Sequence, residues 1–221
     1  MAEEKRVFVA PSILSGDFAN MGKSVALLDE WGADLVHCDV MDGVYVPNIT
    51  FGMPMIKAIK EYTKLPLDVH LMIVKPEKYL TKFIDSGADW LSFHPEVSDN
   101  PVEALKIIRD SGTRAGIVIN ADVKCEDYLY LLDLCDFILV MSVQAGHGGQ
   151  KFIPETLKKV EAIKNYRKKH NLSFDIEIDG GINEQNAGVV RDTGVNVIVA
   201  GSAVYNSKNP ERTIKTIRGD M

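Results

Sequence analysis

Two short β-like runs in this chain each end in side chains that bind metal ions. The first run, DLVHCDVMDG, holds His37, Asp39 and Met41, and the second, LPLDVHLMI, holds His70 and Met72. Alternate side chains of a strand point to the same side, so each set shares one face of its strand. Two imidazoles and a carboxylate on adjacent strands predict a site for one divalent metal ion.

A third run, FDIEIDGGI, adds a second carboxylate to this pattern. It ends at Asp179 and then turns on Gly180 and Gly181. Neutral histidine and ionised aspartate suit Zn²⁺, Fe²⁺, Mn²⁺ or Co²⁺, and the residues do not choose among these metals. Two carboxylates, two histidines and a glycine turn predict metal-assisted proton transfer on a small phosphorylated substrate.

These residues are positioned by a repeated alternation of strands and helices. The runs rich in Val, Ile and Leu are typical of strands covered on both faces, and amphipathic segments lie between them. The predicted strands cover residues 7–14, 34–40, 67–73, 90–94, 114–120, 137–143, 175–179 and 195–200. The predicted helices cover residues 18–30, 54–62, 76–86, 101–111, 154–170, 184–193 and 210–217.

This alternation predicts an α/β fold, a single-domain (β/α)8 TIM barrel that spans residues 1–221. Gly32, Gly87, Gly112 and Gly194 follow predicted helices, as C-capping glycines do. An open doubly wound sheet is the alternative, but it normally carries a GxGxxG motif near its start, and the chain has none. In a barrel the chemistry lies at the carboxyl ends of the strands, where the candidate residues are found.

Glycine-rich loops follow the last three predicted strands. Such loops let backbone N–H groups approach an anion closely, and a phosphate site near the last strands recurs in this fold. The sequence therefore predicts a phosphate-binding cradle formed by Gly146, Gly148, Gly149, Gly180, Gly181, Gly201 and Ser202.

Three methionines lie at predicted strand ends beside the carboxylates. We expect Met41, Met72 and Met141 to face the barrel mouth, exclude water and shield the reacting centre. His94 and His147 are interpreted as hydrogen-bonding or lining residues. The long segments HCDVMDGVYVPNITFG and QAGHGGQKFI are candidates for a loop that closes over the substrate.

Composition excludes several other classes of protein. The net charge is −6 over 221 residues, and no basic stripe is present, which argues against nucleic-acid binding. Cys38, Cys125 and Cys135 form no CxxC pair and are predicted to be buried free thiols. The start of the chain, MAEEKRVFVAPS, lacks the apolar region of a signal peptide, and no run is long enough to span a membrane. The predicted location is the cytoplasm.

Several motifs together resemble one known family. PSILSGDFANM, HCDVMDGVYVPNITFG, DVHLMI, GHGGQKFI, DGGIN and AGSAVY occur in this order and look like ribulose-phosphate 3-epimerases of the pentose phosphate pathway. The resemblance implies a (β/α)8 barrel isomerase with one divalent metal that interconverts D-ribulose 5-phosphate and D-xylulose 5-phosphate. It also implies a homo-oligomer, either a dimer or a hexamer.

The resemblance assigns roles to individual residues. The implied metal ligands are His37, Asp39, His70 and Asp179. Asp39 and Asp179 are also the implied acid/base pair, which inverts C3 through a metal-stabilised enediolate. The implied substrate and phosphate contacts are Ser12, His70, Gly146, His147, Gly148, Gly149, Asp179, Gly180, Gly181, Gly201 and Ser202.

The chain departs from the family pattern in three loops, where QAGHGG replaces NPGFGG, INADVK replaces LNPATP, and HPE replaces HVE. These loops lie near the sugar and phosphate, so a 3-epimerase of D-allulose 6-phosphate stays an alternative. A Schiff-base aldolase is disfavoured because no predicted strand end carries a lysine. A decarboxylase is disfavoured because its Asp-x-Lys-x-x-Asp pattern is absent, since Val40 and Met41 follow Asp39. A non-catalytic sugar-phosphate-binding barrel is the remaining alternative.

Overall fold

A computed structural model describes residues 6–221 of the chain. Over this range, eight parallel strands form one sheet in the order β1-β8-β7-β6-β5-β4-β3-β2. The strands are β1 (Phe8–Ala10), β2 (Val36–Met41), β3 (Leu67–Met72), β4 (Trp90–Phe93), β5 (Arg114–Ile119), β6 (Phe137–Met141), β7 (Asp175–Asp179) and β8 (Val197–Val199). The α-helices are α1 (Met21–Glu30), α2 (Met53–Ile59), α3 (Leu80–Asp85), α4 (Pro101–Asp110), α5 (Leu157–Lys169), α6 (Ala187–Asp192), α7 (Ser202–Tyr205) and α8 (Pro210–Arg218).

The first two strands close this sheet into a barrel. The backbone N–H of Asp34 donates to the carbonyl of Val9 at 3.0 Å, and that of His37 donates to Pro11 at 3.1 Å. A single bridge also pairs Ser12 with His37. The predicted (β/α)8 barrel is therefore confirmed, and its carboxyl-end rim brings the ends of all eight strands of the described range together.

Large apolar side chains fill the opposite, amino-terminal end of the barrel. Trp90 and Phe137 each begin a strand, and their ring centroids lie 4.9 Å apart. Gly116 lies across from Phe137, and a Cβ there would come within 2.5 Å of the phenyl ring. The guanidinium of Arg114 lies over the Trp90 ring at 3.9 Å. This end is a packed core, which leaves the carboxyl-end rim for the polar groups.

The predicted first strand is too long. β1 ends at Ala10, and Ile13–Ser15 forms a 3₁₀ turn instead of continuing the strand. The Ser12 side chain caps this turn by accepting the backbone N–H of Leu14, and Pro11 has no N–H to donate to a neighbouring strand. The difference matters because the structure places Ser12 on a turn at the rim and not within a strand.

Two of the helical segments that were not predicted follow β5 and β8. Cys125–Leu134 forms a 3₁₀ run between β5 and β6, and α7 follows β8 directly. A 3₁₀ run has no 3.6-residue period, and α7 covers about one turn, so neither shows a periodic apolar pattern. The predicted caps are confirmed, because Gly32, Gly87, Gly112 and Gly194 all adopt positive φ.

The three cysteines are buried and free, as predicted. From residue 6 onward, no helix combines the length and the apolar character needed to cross a membrane. The interpretation of the first residues as lacking a signal sequence falls partly on residues 1–5, which lie outside the described range.

Candidate active site

The barrel rim brings the four predicted ligands together. His37 and Asp39 come from β2, His70 from β3 and Asp179 from the end of β7. One ligand atom from each of the four residues lies within 4.8 Å of the others. The β2–β3 register pairs Asp39 with His70 directly. The period-two pattern of the sequence thus becomes a single cluster at the carboxyl ends of the strands.

The donor atoms of this cluster fit a divalent metal ion. His37 Nε2 and His70 Nδ1 are buried, and neither has a hydrogen-bond partner in the described part of the chain. They lie 3.4 Å and 3.3 Å from the same oxygen, Asp39 Oδ1. An unpartnered buried polar atom is costly unless something binds it. Two imidazole nitrogens and a carboxylate that converge in this way suit a borderline metal such as Zn²⁺ or Fe²⁺.

Each histidine is held by its other ring nitrogen. His37 Nδ1 lies 2.5 Å from Asp68 Oδ2, and His70 Nε2 lies 2.9 Å from His94 Nε2. Partners of this kind orient a metal-binding imidazole and select its tautomer. Burial opposes a charge on His37, but Asp68 and Asp39 outweigh burial and raise the pKa of His37. A metal ion would compete with that proton for the site.

Sequence reasoning missed Asp68 and Glu177. Both side chains are completely buried, and Glu177 Oε1 lies 3.7 Å from His37 Nδ1. Burial, together with the charge of Asp68, raises the pKa of Glu177. Each residue lies two positions before a predicted ligand, His70 or Asp179, and so shares its face of the strand. That spacing was a usable signal, although it does not show which neighbour the side chain meets.

The two aspartates of the cluster have opposite electrostatic environments. Burial disfavours the charged form of Asp39, but the adjacent His37 and His70 outweigh burial and hold the pKa of Asp39 well below its usual range. Burial and then the negative charge of Asp39 raise the pKa of Asp179 to about 7. Ser12 Oγ donates to Asp39 Oδ2 at 2.5 Å. The two carboxylates therefore lie in different electrostatic surroundings within one cluster.

A cavity of about 340 Å³ opens above the cluster. Asp39 and Asp179 face this cavity, whereas His37 and His70 lie behind them and are not among its lining residues. The other predicted site residues on its walls are Ser12, Met41, Met72, Met141, Gly146, His147, Gly148, Gly149, Gly180, Gly181, Gly201 and Ser202. The fold thus brings these predicted residues to one space, whereas His70, which was predicted to contact substrate, is buried behind Asp39 and does not line the cavity.

The glycine loops approach the cavity with their backbones. Gly180 has φ +131°, and a Cβ there would lie 2.7 Å from the backbone nitrogen of Val143. The Gln150 side chain donates to the carbonyls of Gln144 at 2.6 Å and His147 at 2.8 Å, which holds the loop after β6 in shape. His147 itself is exposed at the cavity edge. Glycines of the loops after β6, β7 and β8 therefore all line the cavity.

Three methionines form the apolar wall of the cavity. Met41, Met72 and Met141 are at most 4% exposed. Met41 and Met72 pack with Val46, which belongs to the loop of residues 42–52 between β2 and α2, called here the β2–α2 loop. Apolar side chains beside a buried charge exclude water and lower the local dielectric constant. The wall strengthens any electrostatic interaction made inside the cavity.

The fold is a (β/α)8 barrel, and its carboxyl-end rim holds a histidine–carboxylate cluster and a glycine-lined cavity. These features define the class of this protein as a barrel enzyme with a candidate metal centre. The sequence profile of the Ribulose-phosphate 3 epimerase family matches residues 8–205. The chain belongs to the ribulose-phosphate 3-epimerase family. Its predicted resemblance and its assignment to the isomerases are confirmed at this level.

Individual relatives are similar over almost their whole length. The chain is 47% identical to the ribulose-phosphate 3-epimerase of Synechocystis sp., covering 97% of this chain and 94% of the relative. It is 42% identical to that of Bacillus subtilis, covering 96% and 98%. A solved structure of KGPDC from Streptococcus mutans superposes with a TM-score of 0.72, covering 97% of both chains, at 12% identity. That last likeness concerns the fold alone.

Proposed function

We propose that this protein interconverts D-ribulose 5-phosphate and D-xylulose 5-phosphate by inverting the configuration at C3. One observation carries the proposal. The carboxylates of Asp39, from β2, and Asp179, from the end of β7, converge on one cavity at the barrel rim. Inversion needs a base on one face of the carbon and an acid on the other. The names of the relatives support the choice of substrate.

The proposed cofactor is one divalent metal ion, Zn²⁺, Fe²⁺, Mn²⁺ or Co²⁺. The residues that would hold it are His37, Asp39, His70 and Asp179, and the unpartnered nitrogens of the two histidines support this assignment. When bound, such an ion supplies Lewis-acid stabilisation for negative charge that develops on substrate oxygens. His37 and His70 are kept in position for it by Asp68 and His94.

The two aspartates would move the proton. One aspartate takes the proton from C3 on one face, and the other returns a proton on the opposite face; in the reverse reaction the roles are exchanged. The hydroxyl of Ser12 donates to Asp39 Oδ2, which orients the carboxylate towards the cavity. Ser12 also lines the cavity and is proposed to contact the sugar, whereas the predicted contact of His70 is not supported because His70 does not line the cavity.

The rest of the cavity would bind and enclose the substrate. The phosphate is proposed to lie on the backbone amides of the glycine loops at Gly146–Gly149, Gly180–Gly181 and Gly201–Ser202, with His147 at the edge. Anchoring the distal phosphate makes the position of C3 reproducible. Met41, Met72 and Met141 exclude water from the developing enediolate.

The test is proton NMR in D₂O with Co²⁺- or Zn²⁺-loaded protein and D-ribulose 5-phosphate. We expect deuterium to enter at C3 as D-xylulose 5-phosphate forms. D-allulose 6-phosphate is run in parallel, because the unusual loop with Gln144 and His147 lies at the cavity edge. Faster exchange with the hexose phosphate would move the assignment to that substrate. No exchange with either, with metal shown to be bound, would support a non-catalytic sugar-phosphate-binding barrel.

Three wider properties are part of the same proposal. Residues 1–221 would form one catalytic domain, located in the cytoplasm, that assembles as a dimer or hexamer. Strands β1 to β8 are hydrogen-bonded in one sheet, which supports a single domain. The family resemblance supports the oligomer. Light scattering coupled to size-exclusion chromatography measures the assembly directly.

A further inference from the structure

A hydrogen-bonded group of polar side chains extends from the metal ligand His70 towards the surface, outside the cavity. His94, from the end of β4, is completely buried, and its Nε2 lies 2.9 Å from His70 Nε2. On its far side, His94 Nδ1 lies 2.9 Å from the hydroxyl of Tyr45. Glu96 and Asn120 complete the group. The proposed proton transfer uses none of these four residues directly.

The hydrogen-bond directions in this group follow from the chemistry of each atom. A metal ion bound to His70 Nδ1 requires that His70 Nε2 carry the proton and donate it to His94 Nε2. His94 must then be protonated at Nδ1, which donates to the Tyr45 hydroxyl. Only one assignment of the two histidine tautomers is therefore compatible with a metal ion on His70.

The Tyr45 hydroxyl connects His94 to Glu96 and Asn120. Its hydroxyl donates to Glu96 Oε1 at 2.8 Å and accepts from Asn120 Nδ2 at 2.5 Å as well as from His94. Asn120 Nδ2 also donates to Glu96 Oε1 at 2.9 Å, so a carboxylate that only accepts faces two donors. One donor and two acceptor sites of the phenol are thus all used.

Tyr45 also belongs to the β2–α2 loop, which packs against the wall of the cavity. The next residue in the β2–α2 loop, Val46, packs on Met41 and Met72. It lies against the glycine loop after β6 as well, because a Cβ on Gly146 would be 3.2 Å from Val46. The loop that carries Tyr45 therefore contacts both the apolar wall and the glycine loop.

The turn that carries His94 and Glu96 is stiffened in this chain. Pro95 begins the 3₁₀ turn Pro95–Val97, and His94 before it is extended, with φ −81° and ψ 116°. Proline fixes its own φ and restricts the preceding residue to this extended region. The spacing between the imidazole and the carboxylate is thus set by the backbone.

We propose that Tyr45, His94 and Glu96 are positioning residues that couple the packing of the β2–α2 loop to the orientation of the metal ligand His70. The inference rests on the metal site of the proposed function and adds to it a defined link between this loop and the ligand. The packed loop holds His94 through Tyr45, and His94 holds the His70 ring in the tautomer that binds metal through Nδ1. Loosening the loop then weakens metal binding, although no loop residue is a ligand.

The first test is the tautomer of each histidine in the Zn²⁺-loaded protein, measured by ¹⁵N–¹H correlation NMR. The chain has five histidines, so single substitutions suffice to assign them. We expect His70 protonated at Nε2 and His94 at Nδ1. The opposite tautomer of His94, or a doubly protonated His94 ring, would overturn the proposed relay.

The second test compares Tyr45→Phe with Tyr130→Phe, a change at an exposed tyrosine. We expect Tyr45→Phe to speed amide hydrogen exchange in residues 43–50 by roughly tenfold or more and to weaken Zn²⁺ binding, measured by competition with a chelator. Tyr130→Phe changes neither. Wild-type exchange and wild-type affinity in Tyr45→Phe would contradict the coupling, even if the catalytic rate falls.

The third test separates hydrogen bonding from packing at His94. His94→Leu removes both hydrogen bonds, whereas His94→Gln keeps an acceptor for His70 and a donor for Tyr45. We expect about 10- to 100-fold weaker Zn²⁺ binding in the first variant and partial recovery in the second. Equal affinities in both would overturn the proposal, and Tyr45→Phe decides the question if His94→Leu does not fold. None of these measurements uses substrate. A protein that is inactive on ribulose phosphate would therefore contradict the proposed function but leave the link between the loop and His70 unaffected.

Discussion

Asp39 and Asp179 face the same small cavity, yet their neighbours give them different proton affinities. Two histidines surround Asp39 and favour its ionised form, whereas Asp179 meets mainly burial and the negative charge of Asp39. A divalent metal ion bound at the proposed site would favour the ionised form of both carboxylates. The distinction depends on contacts within a few ångströms and belongs to the scale of single residues.

Replacement of one aspartate tests the acid/base pair. We expect Asp179→Asn to keep its fold but to lose turnover by roughly 10²- to 10⁴-fold, because the amide cannot exchange a proton with C3. Circular dichroism checks the fold, and NMR in D₂O measures the exchange. Asp192→Asn on α6 is the matched control and keeps wild-type activity. Activity near the wild-type level in Asp179→Asn would rule out the two-aspartate scheme.

Backbone strain at a single glycine gives a second prediction. Gly180→Ala places a methyl group on a backbone with φ +131°, 2.7 Å from the Val143 nitrogen. We expect it to lower the free energy of unfolding by about 1–3 kcal/mol, measured by urea denaturation. Gly148→Ala is the control, since its nearest neighbour is Leu14 at 3.7 Å and its φ is not positive. Equal losses in the two variants would contradict the steric argument.

At the scale of elements, the β2–α2 loop depends on one carboxylate. The Asp42 side chain accepts the backbone N–H groups of Val44 and Tyr45, and also that of Val74 in the next loop along the barrel. This carboxylate therefore fastens the start of the loop that carries Tyr45 and Val46. The loop owes its shape to side-chain acceptors, because its sequence has no regular backbone pairing beyond one bridge of Asp42 with Ile49.

The same carboxylate makes the loop sensitive to acid. Burial opposes the charge on Asp42, but the N–H donors of Val74, Val44 and Tyr45 outweigh burial and lower its pKa. A lowered pKa in the folded state means that the stabilisation is complete above the unfolded pKa of about 3.9 and is lost as pH falls through the folded value. We expect the difference in unfolding free energy between wild type and Asp42→Asn to shrink from pH 6 to pH 3. A constant difference in urea titrations would contradict this.

At the scale of the whole molecule, the barrel separates its two ends. Aromatic rings and aliphatic side chains fill the amino-terminal end, including Trp90 and Phe137. The carboxyl end instead holds buried polar atoms without partners among residues 6–221, such as His37 Nε2 and His70 Nδ1. Atoms of this kind destabilise the fold unless a ligand binds them. We therefore expect the proposed metal binding to increase the stability of the fold.

Metal addition tests this linkage. A ligand that binds only the folded state, present at 100 times its Kd, stabilises that state by about 2.7 kcal/mol. We expect Zn²⁺ to raise Tm by roughly 5–10 °C for a chain of this size, measured by calorimetry, and a chelator to reverse the rise. His170→Ala, at an exposed histidine beyond α5, keeps the shift, whereas Asp39→Asn loses most of it. A shift that survives in Asp39→Asn would place the metal elsewhere.

Much of the site was predictable because its signals are local. His37 and Asp39, and likewise Asp179 before its glycine turn, follow the period-two rule at strand ends. Repeated strand and helix patterns then indicate that those ends meet at one rim. The glycines after the last strands and the C-capping glycines are equally local, since positive φ is a property of one residue and its neighbours. Sequence by itself therefore determined the barrel, the convergence of the four candidate ligands and the glycine-lined loops.

Register and loop closure were decided only by the tertiary structure. The β2–β3 register places His37 beside Asp68, and no pattern within either strand specifies that pairing. Asn120 reaches Tyr45 across 75 positions of the chain, because the loop closes over the rim. Such contacts depend on how all eight strands tilt and pack around the barrel interior, which is a long-range balance of burial and shape. Local periodicity tells which side of a strand a residue faces, and only the closed barrel tells what it meets there.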